Sequence, residues 1–321
     1  MTNKFQIHKK LLHYSIFLYG VMMFIYCVCF VPAHANMPQH QNVDVKVNMK
    51  ETVYDKHSKN GITYRIFEAI PNKTAPQAGW PIIYLLDGNA TYQFARDQNP
   101  DAVLIGIGYP TDDKNKIIQQ RYFDLTTKTE PQNIPLRAGM IAPQTGGEEK
   151  FRHFIIEELM PDINHRLPVD AKHATLFGHS LGGIFALQTF IKKPNAFQTI
   201  CAIDPSIWWD KHAFINDLKS FSPTPNMPRL LIETAGKKVQ KNNIDPKDAE
   251  KLKSLRSGPN GHDVAKTMHI DKKVNVFYRN FNDESHGTII KPAIQDCLAL
   301  SLNQDTPLIQ TLISQEKNHN D

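Results

Sequence analysis

Residues 174–187 decide the fold class, and they read Ala174-Thr-Leu-Phe-Gly-His-Ser-Leu-Gly-Gly-Ile-Phe-Ala-Leu187. The short apolar run Ala174–Phe177 predicts a buried strand, and Leu181–Lys192 has the pattern of a helix. Between them Gly178-His-Ser-Leu-Gly182 matches G-x-S-x-G, which in a strand–turn–helix context is typical of a nucleophile elbow. We expect Ser180 to occupy a strained turn, because side chains at residues 178 and 182 would collide with the neighbouring strand and helix.

The alternation of strand and helix continues on both sides of this motif. Continuous apolar runs predict strands buried on both faces, as in a parallel sheet. These runs are Ile82–Leu86, Ala102–Ile107, Ala174–Phe177, Thr199–Ile203, Leu230–Ile232 and Val274–Tyr278. Helices are predicted at Glu148–Arg166, Leu181–Lys192 and Thr288–Leu302. The pattern predicts a doubly wound α/β domain, with a mostly parallel central sheet and helices on both faces.

Three segments depart from that alternation. Glu51–His57 and Ile62–Ile70 flank a short polar turn and predict an N-terminal antiparallel hairpin. Residues 109–147 have little periodicity and several Pro and Gly residues, so we expect a long loop over the sheet edge. Residues 237–273 are heavily charged, and we expect a surface insertion that holds one helix, Lys247–Arg256.

The N-terminus has the three parts of a secretory signal. Three lysines precede the apolar run Ile16–Val31, and Ala33-His-Ala35 is a small-residue cleavage site. We therefore expect residues 1–35 to be a signal peptide, and residues 36–321 to form a single periplasmic or secreted domain. The alternative is an uncleaved membrane anchor, because the apolar run approaches the ~18 residues that a span needs.

The composition excludes several classes of protein. Of the 321 residues, 41% are apolar and 21% are charged, which is ordinary for a globular chain and excludes disorder, collagen and coiled coil. The signal peptide carries three of the 37 basic residues and none of the 32 acidic ones. The mature chain is therefore near neutral, and its charge gives no argument for a nucleic-acid partner.

Cleavage also leaves two of the four cysteines, Cys201 and Cys297. Export makes a disulfide between them chemically permissible. Their separation along the chain carries no information about proximity, however, and both lie in apolar surroundings. We therefore expect two buried free thiols.

A nucleophilic serine requires a base, and chain order selects His286. In this architecture the order is Ser, then acid, then His, so the base should follow the last strand. His286 lies between the last predicted strand and the final helix, whereas His262 and His269 precede that strand. His179 is fixed beside the nucleophile and points elsewhere. The alternative for His286 is an ordinary solvated loop histidine.

The acid is not decided by the sequence. The strand Leu230–Ile232 leads into Glu233, and no carboxylate follows directly after Gly236, where the acid is expected. Glu233 is one candidate, although it could point into the sheet instead. Asp204, at the end of the preceding strand, is another candidate. A Ser–His dyad without a carboxylate remains a third option.

Two backbone amides are candidates for an oxyanion hole. The N–H of Leu181 opens the helix behind the serine, where a helix N-terminus favours developing negative charge. The second donor should follow the strand Ile82–Leu86, where Asp87-Gly-Asn89 allows a tight turn and offers the Asn89 amide. The sequence has neither an H-E-x-x-H motif nor a cysteine pair that indicates zinc, so we expect no metal and no cofactor.

Two further positions are candidates for substrate binding. Trp208 and Trp209 could wall an aromatic pocket, but adjacent residues rarely face one cavity, so we expect at least one of them in the core. Arg121 could bind an anionic substrate group through two hydrogen bonds. Its alternative is a salt bridge with Asp124.

Taken together, these motifs resemble the putative-esterase family of α/β-hydrolases, which includes the mycolyltransferases and esterase D. The resemblance covers residues ~60–300 and is strongest to the siderophore esterases of the trilactone-hydrolase type. It is carried by Tyr84-Leu-Leu-Asp-Gly-Asn89, Arg121-x-x-Asp-Leu-Thr126, Gly146-Gly-x-x-x-Phe151, Gly178–Gly183, Pro205-Ser-x-Trp-Trp209 and Ser285-His-Gly287.

The resemblance implies an α/β-hydrolase fold with Ser180 as nucleophile, His286 as base, and the Leu181 and Asn89 amides as oxyanion donors. Trilactone hydrolases are described as lacking the usual acid, which agrees with the absence of a carboxylate after Gly236. This chain departs from the family pattern in having an aspartate at residue 204, where a serine is more usual. It departs again in its charged segment at residues 237–273.

The expected function is that of an exported serine esterase whose partner is a small-molecule ester. A catecholate siderophore trilactone is the leading substrate class. A broad-specificity short-chain carboxylesterase or acyltransferase is the first alternative, and a non-catalytic ligand-binding module on a hydrolase scaffold is the second. After cleavage of the leader we expect no stable membrane span.

Overall fold

A single sheet of eight strands organises the part of the chain that the computed structural model describes, namely residues 47–134, 136, 141–237, 250, 253–254 and 256–304. The strands are β1 (Met49–His57), β2 (Thr63–Pro71), β3 (Trp80–Leu86), β4 (Val103–Gly108), β5 (Val169–His179), β6 (Thr199–Ile203), β7 (Arg229–Ala235) and β8 (Val276–Phe281). Their spatial order is β1-β2-β4-β3-β5-β6-β7-β8. The predicted signal peptide, residues 1–35, and most of the predicted helix Lys247–Arg256 lie outside the described residues.

The pairing of the strands confirms a mostly parallel sheet with an N-terminal antiparallel hairpin. β1 pairs antiparallel with β2, and β2 pairs antiparallel with β4. The pairs from β3 to β8 are all parallel. The central strands are buried along nearly their whole length, which is why they read as continuous apolar runs.

Helices cover both faces of the sheet, as predicted. They are α1 (Gly88–Arg96), α2 (Lys114–Leu125), α3 (Glu148–His153), α4 (Met160–Arg166), α5 (Leu181–Lys192), α6 (Trp209–Ser220), α7 (Gly261–Ile270) and α8 (Ile290–Ser301). Alternate residues of each central strand pack against opposite layers. Phe177 and Leu231 contact the layer of α1 and α8, whereas Leu176 and Ile232 contact the layer that holds α5 and α7.

The predicted long loop at residues 109–147 is wrong in part, because it contains α2. This helix buries only Asp124 and Leu125 fully, so it has little apolar periodicity to reveal it. A local signal was nevertheless present, since Asp113 caps the helix by accepting hydrogen bonds from two backbone amides. The charged segment likewise holds α7, which begins with a capping box between Asn260 and Asp263.

The predicted helix Glu148–Arg166 forms, but it is not continuous. A π-helical turn, Phe154–Leu159, joins α3 to α4. The turn ends two residues before Pro161, which has no amide hydrogen and whose ring would clash with the carbonyl of residue 157 in a regular α-helix. Widening of the helix relieves that clash while Phe154 and Ile155 remain buried.

A disulfide joins Cys201 in β6 to Cys297 in α8, with the two Cα atoms 6.1 Å apart. The expectation of two free thiols is therefore wrong. Both residues face the same buried layer between the sheet and α8. That proximity follows from strand order and helix packing, neither of which can be read from two cysteines 96 residues apart.

None of the helices within the described residues has the length and apolar character that a membrane span requires. The apolar run at the N-terminus, for which a signal peptide and an anchor were both considered, lies outside that part of the chain. The question of cleavage therefore stays a prediction.

Replacing both cysteines, as Cys201→Ala with Cys297→Ala, should lower the free energy of unfolding by about 2–5 kcal/mol, because the crosslink restricts the unfolded chain. Urea unfolding of residues 36–321 with and without the two substitutions measures the difference. Thiol titration of the unfolded wild type should find no free thiol. Equal unfolding midpoints with equal slopes would show that the crosslink has no role in stability.

Candidate active site

Ser180 lies at the turn between β5 and α5 with a backbone φ of 60° and ψ of −115°. A left-handed φ is unfavourable for a residue with a Cβ, so the surrounding structure must hold it. The Ser180 amide donates to the carbonyl of Ile203 at 2.9 Å, and the Ser206 amide donates to the Ser180 carbonyl at 3.0 Å. The end of β6 therefore holds the nucleophile elbow in its strained conformation.

Steric crowding requires glycine at two positions around the elbow, Gly178 and Gly183, whereas the sequence predicted Gly178 and Gly182. A Cβ at residue 178 would overlap the carbonyl of Gly182, as predicted. A Cβ at residue 182 would meet Leu86 Cβ at 3.5 Å, an ordinary contact, so that part of the expectation is wrong. The second constrained position is Gly183, where a Cβ would lie 2.9 Å from Pro205 Cα.

Three side chains form a continuous chain of hydrogen bonds at the carboxyl edge of the sheet. His286 Nε2 lies 2.9 Å from Ser180 Oγ, and His286 Nδ1 lies 2.6 Å from Asp204 Oδ2. A carboxylate can only accept, so Nδ1 carries the proton and Nε2 is left to accept from the serine hydroxyl. This arrangement can take the serine proton and stabilise the imidazolium that results.

Asp204 reaches His286 because of how β6 ends. Its φ of 38° turns the chain sharply after the strand, and its amide donates to the carbonyl of Glu233 at 2.6 Å. The amide of Ala235 donates to Asp204 Oδ1 at 3.2 Å, which leaves Oδ2 directed at the histidine. The structure thus brings the Asp204 carboxylate within hydrogen-bonding distance of His286. This contact contradicts the option of a Ser–His dyad without a carboxylate.

Glu233, the other candidate acid, is directed away from the histidine. It is fully buried in β7 beside Asp296 of α8. Burial raises the pKa of the Glu233 carboxyl well above its usual range, and the neighbouring Asp296 raises it further. A buried and protonated carboxyl is unsuited to stabilise an imidazolium, so the assignment of Glu233 as acid is not supported.

His179 packs against the base without joining the hydrogen-bonded chain. Its ring centroid lies 4.5 Å from that of His286. Burial, followed by an unfavourable charge interaction with the neighbouring His286, lowers the pKa of His179 to about 4. The ring is therefore neutral at neutral pH and serves as a wall behind the exposed His286 rather than as a second base.

The two predicted oxyanion donors stand at helix N-termini that meet beside the elbow. Leu181 is the first residue of α5 and Asn89 the second residue of α1, positions where an amide has no carbonyl partner four residues back. The two helix starts are close, since a Cβ at Gly182 would lie 3.6 Å from the Asp87 carboxylate. The Asn89 side chain fixes its loop by bonding both the amide and the carbonyl of Tyr109.

Arg121 has neither of its expected roles. Its guanidinium donates to both carboxylate oxygens of Asp87, at 2.7 and 2.8 Å. Asp87 directly precedes α1 and has a φ of 56°, so the ion pair holds the loop that presents the Asn89 amide. The expected pairing of Arg121 with Asp124 is wrong, because Asp124 is buried and accepts from Gln120 instead.

An open cleft of about 580 Å³ lies against Ser180, Asp204 and His286. Trp208 forms part of its wall, whereas Trp209 is buried and donates through its indole N–H to Thr127 Oγ1 at 3.1 Å. The cleft is also lined by Lys237, Arg256, His262 and Tyr278. Sequence reasoning missed Lys237 and Arg256, because nothing local in the charged segment indicates which of its many cations face inward.

Comparison with known proteins shows the family to which the chain belongs. A model of the family described as putative esterase matches residues 61–245, more than half of the chain. The ferri-bacillibactin esterase BesA of Bacillus subtilis is 31% identical over 263 residues, which cover 76% of this chain and 86% of that protein. The chain belongs to the putative-esterase family.

Other members of the family agree in length and in fold. The apo-salmochelin esterase of Escherichia coli is 26% identical over 302 residues, 89% of this chain and 91% of that protein. The siderophore hydrolase EstA of Aspergillus nidulans superposes with a TM-score of 0.66 at 25% identity, covering 81% and 95% of the two chains. The α/β-hydrolase fold is thereby confirmed, and membership identifies the chain as a hydrolase that acts on ester bonds.

Substitution of Asp204 and of Glu233 should show which of the two carboxyl groups acts with His286. Asp204→Asn should lower kcat for p-nitrophenyl acetate by roughly 10³-fold or more, because an amide favours the wrong histidine tautomer. Glu233→Gln replaces a protonated carboxyl with an amide of the same shape and should change kcat less than about threefold. Steady-state kinetics decide between them. The reverse pattern would make Glu233 the acid, and no effect of either would favour a dyad.

Asp124 should make stability depend on pH. Burial raises the pKa of Asp124 to about 7, whereas the unfolded value is about 3.9. The folded state therefore holds this proton more tightly, so its contribution to stability is full below about pH 4 and is lost as pH rises to 7. Asp124→Asn should remove this decline, which is at most about 1.4 kcal/mol per pH unit.

Denaturant unfolding between pH 4.5 and 8 measures that decline. Asp217→Asn removes an exposed carboxylate of α6 and is the matched control, which should keep the pH dependence of the wild type. If Asp124→Asn follows the same pH dependence as the wild type, Asp124 is not protonated in the folded protein at neutral pH.

Proposed function

We propose that this protein is an exported serine esterase that hydrolyses the lactone esters of catecholate siderophores. One observation carries the serine mechanism, namely the hydrogen-bonded chain from Asp204 through His286 to Ser180 beside an open cleft. Family membership supports the ester as the bond that is cleaved. The substrate class is supported by relatives whose names describe them as siderophore esterases.

The reaction follows the geometry of the three side chains. Ser180 Oγ attacks the ester carbonyl while its proton passes to Nε2 of His286, and Asp204 stabilises the imidazolium. The negative charge on the carbonyl oxygen is bound by the amides of Leu181 and Asn89. The tetrahedral intermediate then expels the alkoxide leaving group, which takes the proton from His286, and the acyl group remains on Ser180.

Water completes the cycle by the reverse sequence. His286 removes a proton from a water molecule, whose oxygen attacks the acyl-enzyme carbonyl in the same oxyanion site. The carboxylic acid leaves and Ser180 regains its proton. The base is well placed for this step, because the His286 side chain is 57% exposed and solvent reaches it from the cleft.

The cleft supports a bulky ester as the substrate. Its volume of about 580 Å³ is well beyond what an acetyl or butyryl ester needs, and it opens directly to solvent. Aromatic side chains on its walls, among them Trp208 and Tyr278, suit a substrate that carries aromatic rings. A short-chain carboxylesterase or acyltransferase would not require this space.

Export is supported by two independent features. The N-terminal 35 residues have the composition of a signal peptide. The disulfide between Cys201 and Cys297 is of a kind that persists in oxidising compartments and is rare in the cytosol. We therefore place the enzyme in the periplasm or outside the cell, where a siderophore arrives.

Ser180→Ala should reduce hydrolysis of p-nitrophenyl acetate and of a cyclic trilactone of 2,3-dihydroxybenzoylserine by roughly 10³-fold or more, because the attacking oxygen is lost. Ser220→Ala, an exposed position at the end of α6, is the matched control. Turnover of both esters and the thermal midpoint of each variant are measured. A fully folded Ser180→Ala protein with more than a tenth of the activity would exclude the mechanism. No hydrolysis of the trilactone by a wild type that cleaves the acetate ester would exclude the trilactone as substrate.

A further inference from the structure

Two cations in the cleft are used by neither the hydrogen-bonded triad nor the oxyanion site. Lys237 follows β7, and Arg256 precedes α7. Both side chains are exposed, and neither forms an ion pair within the described part of the chain. Arg121, by contrast, is occupied by Asp87. Among the described residues that line the cleft, Lys237 and Arg256 are therefore the cations available to bind an anion near Ser180.

Arg256 is positioned by an aromatic ring of the cleft wall. Its guanidinium carbon lies 5.3 Å from the centroid of the Trp208 ring, a cation–π contact. Trp208 in turn packs against Trp209. The two ring centroids lie 5.9 Å apart, and the Trp209 ring is buried in the core. A guanidinium held over a ring by its central carbon can direct its N–H donors at two oxygens of one group.

Lys237 is held close to the base. Its amide donates to the carbonyl of Glu284 at 3.0 Å, in the loop that carries His286. Lys237 therefore lines the cleft beside the loop that carries His286, and Arg256 lines it beside Trp208. An anion between them would lie within the same cleft as the ester carbonyl.

Resting on the proposed function, we propose that Trp208, Arg256 and Lys237 form a subsite for an anionic aromatic group carried by the ester. The ring of the substrate packs beside the Trp208 indole, and its vicinal or carboxylate oxygens accept from the Arg256 guanidinium. The flexible Lys237 side chain adds a second positive charge but does not fix the orientation of the bound group. The subsite makes the enzyme select negatively charged aromatic esters over neutral ones of the same shape.

The selectivity is tested with two esters that differ by one charge, p-nitrophenyl benzoate and p-nitrophenyl 4-carboxybenzoate. Arg256→Gln should lower the ratio of kcat/KM for the charged ester to that for the neutral ester about tenfold, mainly through KM. Trp208→Leu should lower kcat/KM for both aromatic esters. Raising the ionic strength should lower the ratio in the wild type and much less in Arg256→Gln.

Lys193→Gln, at the opposite end of α5 from Ser180, removes the same charge from the surface and is the matched control. It should leave the ratio unchanged, which separates the subsite from the net charge of the protein. An unchanged ratio in Arg256→Gln, or an equal change in Lys193→Gln, would overturn the proposal while leaving the esterase mechanism intact.

Binding without turnover distinguishes the subsite from the proposed function. Titration calorimetry of 2,3-dihydroxybenzoate against the Ser180→Ala protein, with and without Arg256→Gln, requires no catalysis. We expect Arg256→Gln to weaken binding about tenfold or more. Equal affinity in the two proteins would overturn the subsite even if hydrolysis had been demonstrated, and a tenfold loss would support it even if the trilactone proved not to be the substrate.

Discussion

The active site depends on backbone hydrogen bonds at residues 203–206, where β6 ends. Bonds from this segment to the amide and the carbonyl of Ser180 hold the nucleophile at a positive φ. Bonds from the neighbouring β7 hold Asp204, so that one carboxylate oxygen is directed at His286. Because one short strand end makes both sets of contacts, the positions of Ser180 and Asp204 are set together.

The disulfide reinforces the same strand. Cys201 lies three residues before Asp204 in the chain, and Cys297 lies in the helix that follows the loop of His286. The strand that leads to Asp204 is therefore covalently joined to the helix that follows His286. Such a crosslink limits the relative displacement of two elements whose separation determines the 2.6 Å hydrogen bond between Asp204 and His286.

The sequence predicted those elements that leave a clear pattern in neighbouring residues. The cores of all eight strands were predicted, six of them from the continuous apolar runs that burial on both faces leaves, and β1 and β2 from the polar turn between them. The prediction failed where a helix is only partly buried, as in α2, since a half-exposed helix has little apolar periodicity. Capping residues such as Asp113 would have been the better signal for that helix.

The chemistry of the site divides in the same way. The elbow at Ser180 and the placement of His286 after the last strand are determined by the sequence, because a glycine-bounded turn and a fixed chain order are local and topological facts. The choice of Asp204 over Glu233, the disulfide, the pairing of Arg121 with Asp87 and the inward position of Arg256 were decided only by the tertiary structure. Each of these contacts joins side chains from different strands or loops. These contacts depend on the strand order, on the face of the sheet that each side chain occupies, and on the turn at the end of each strand.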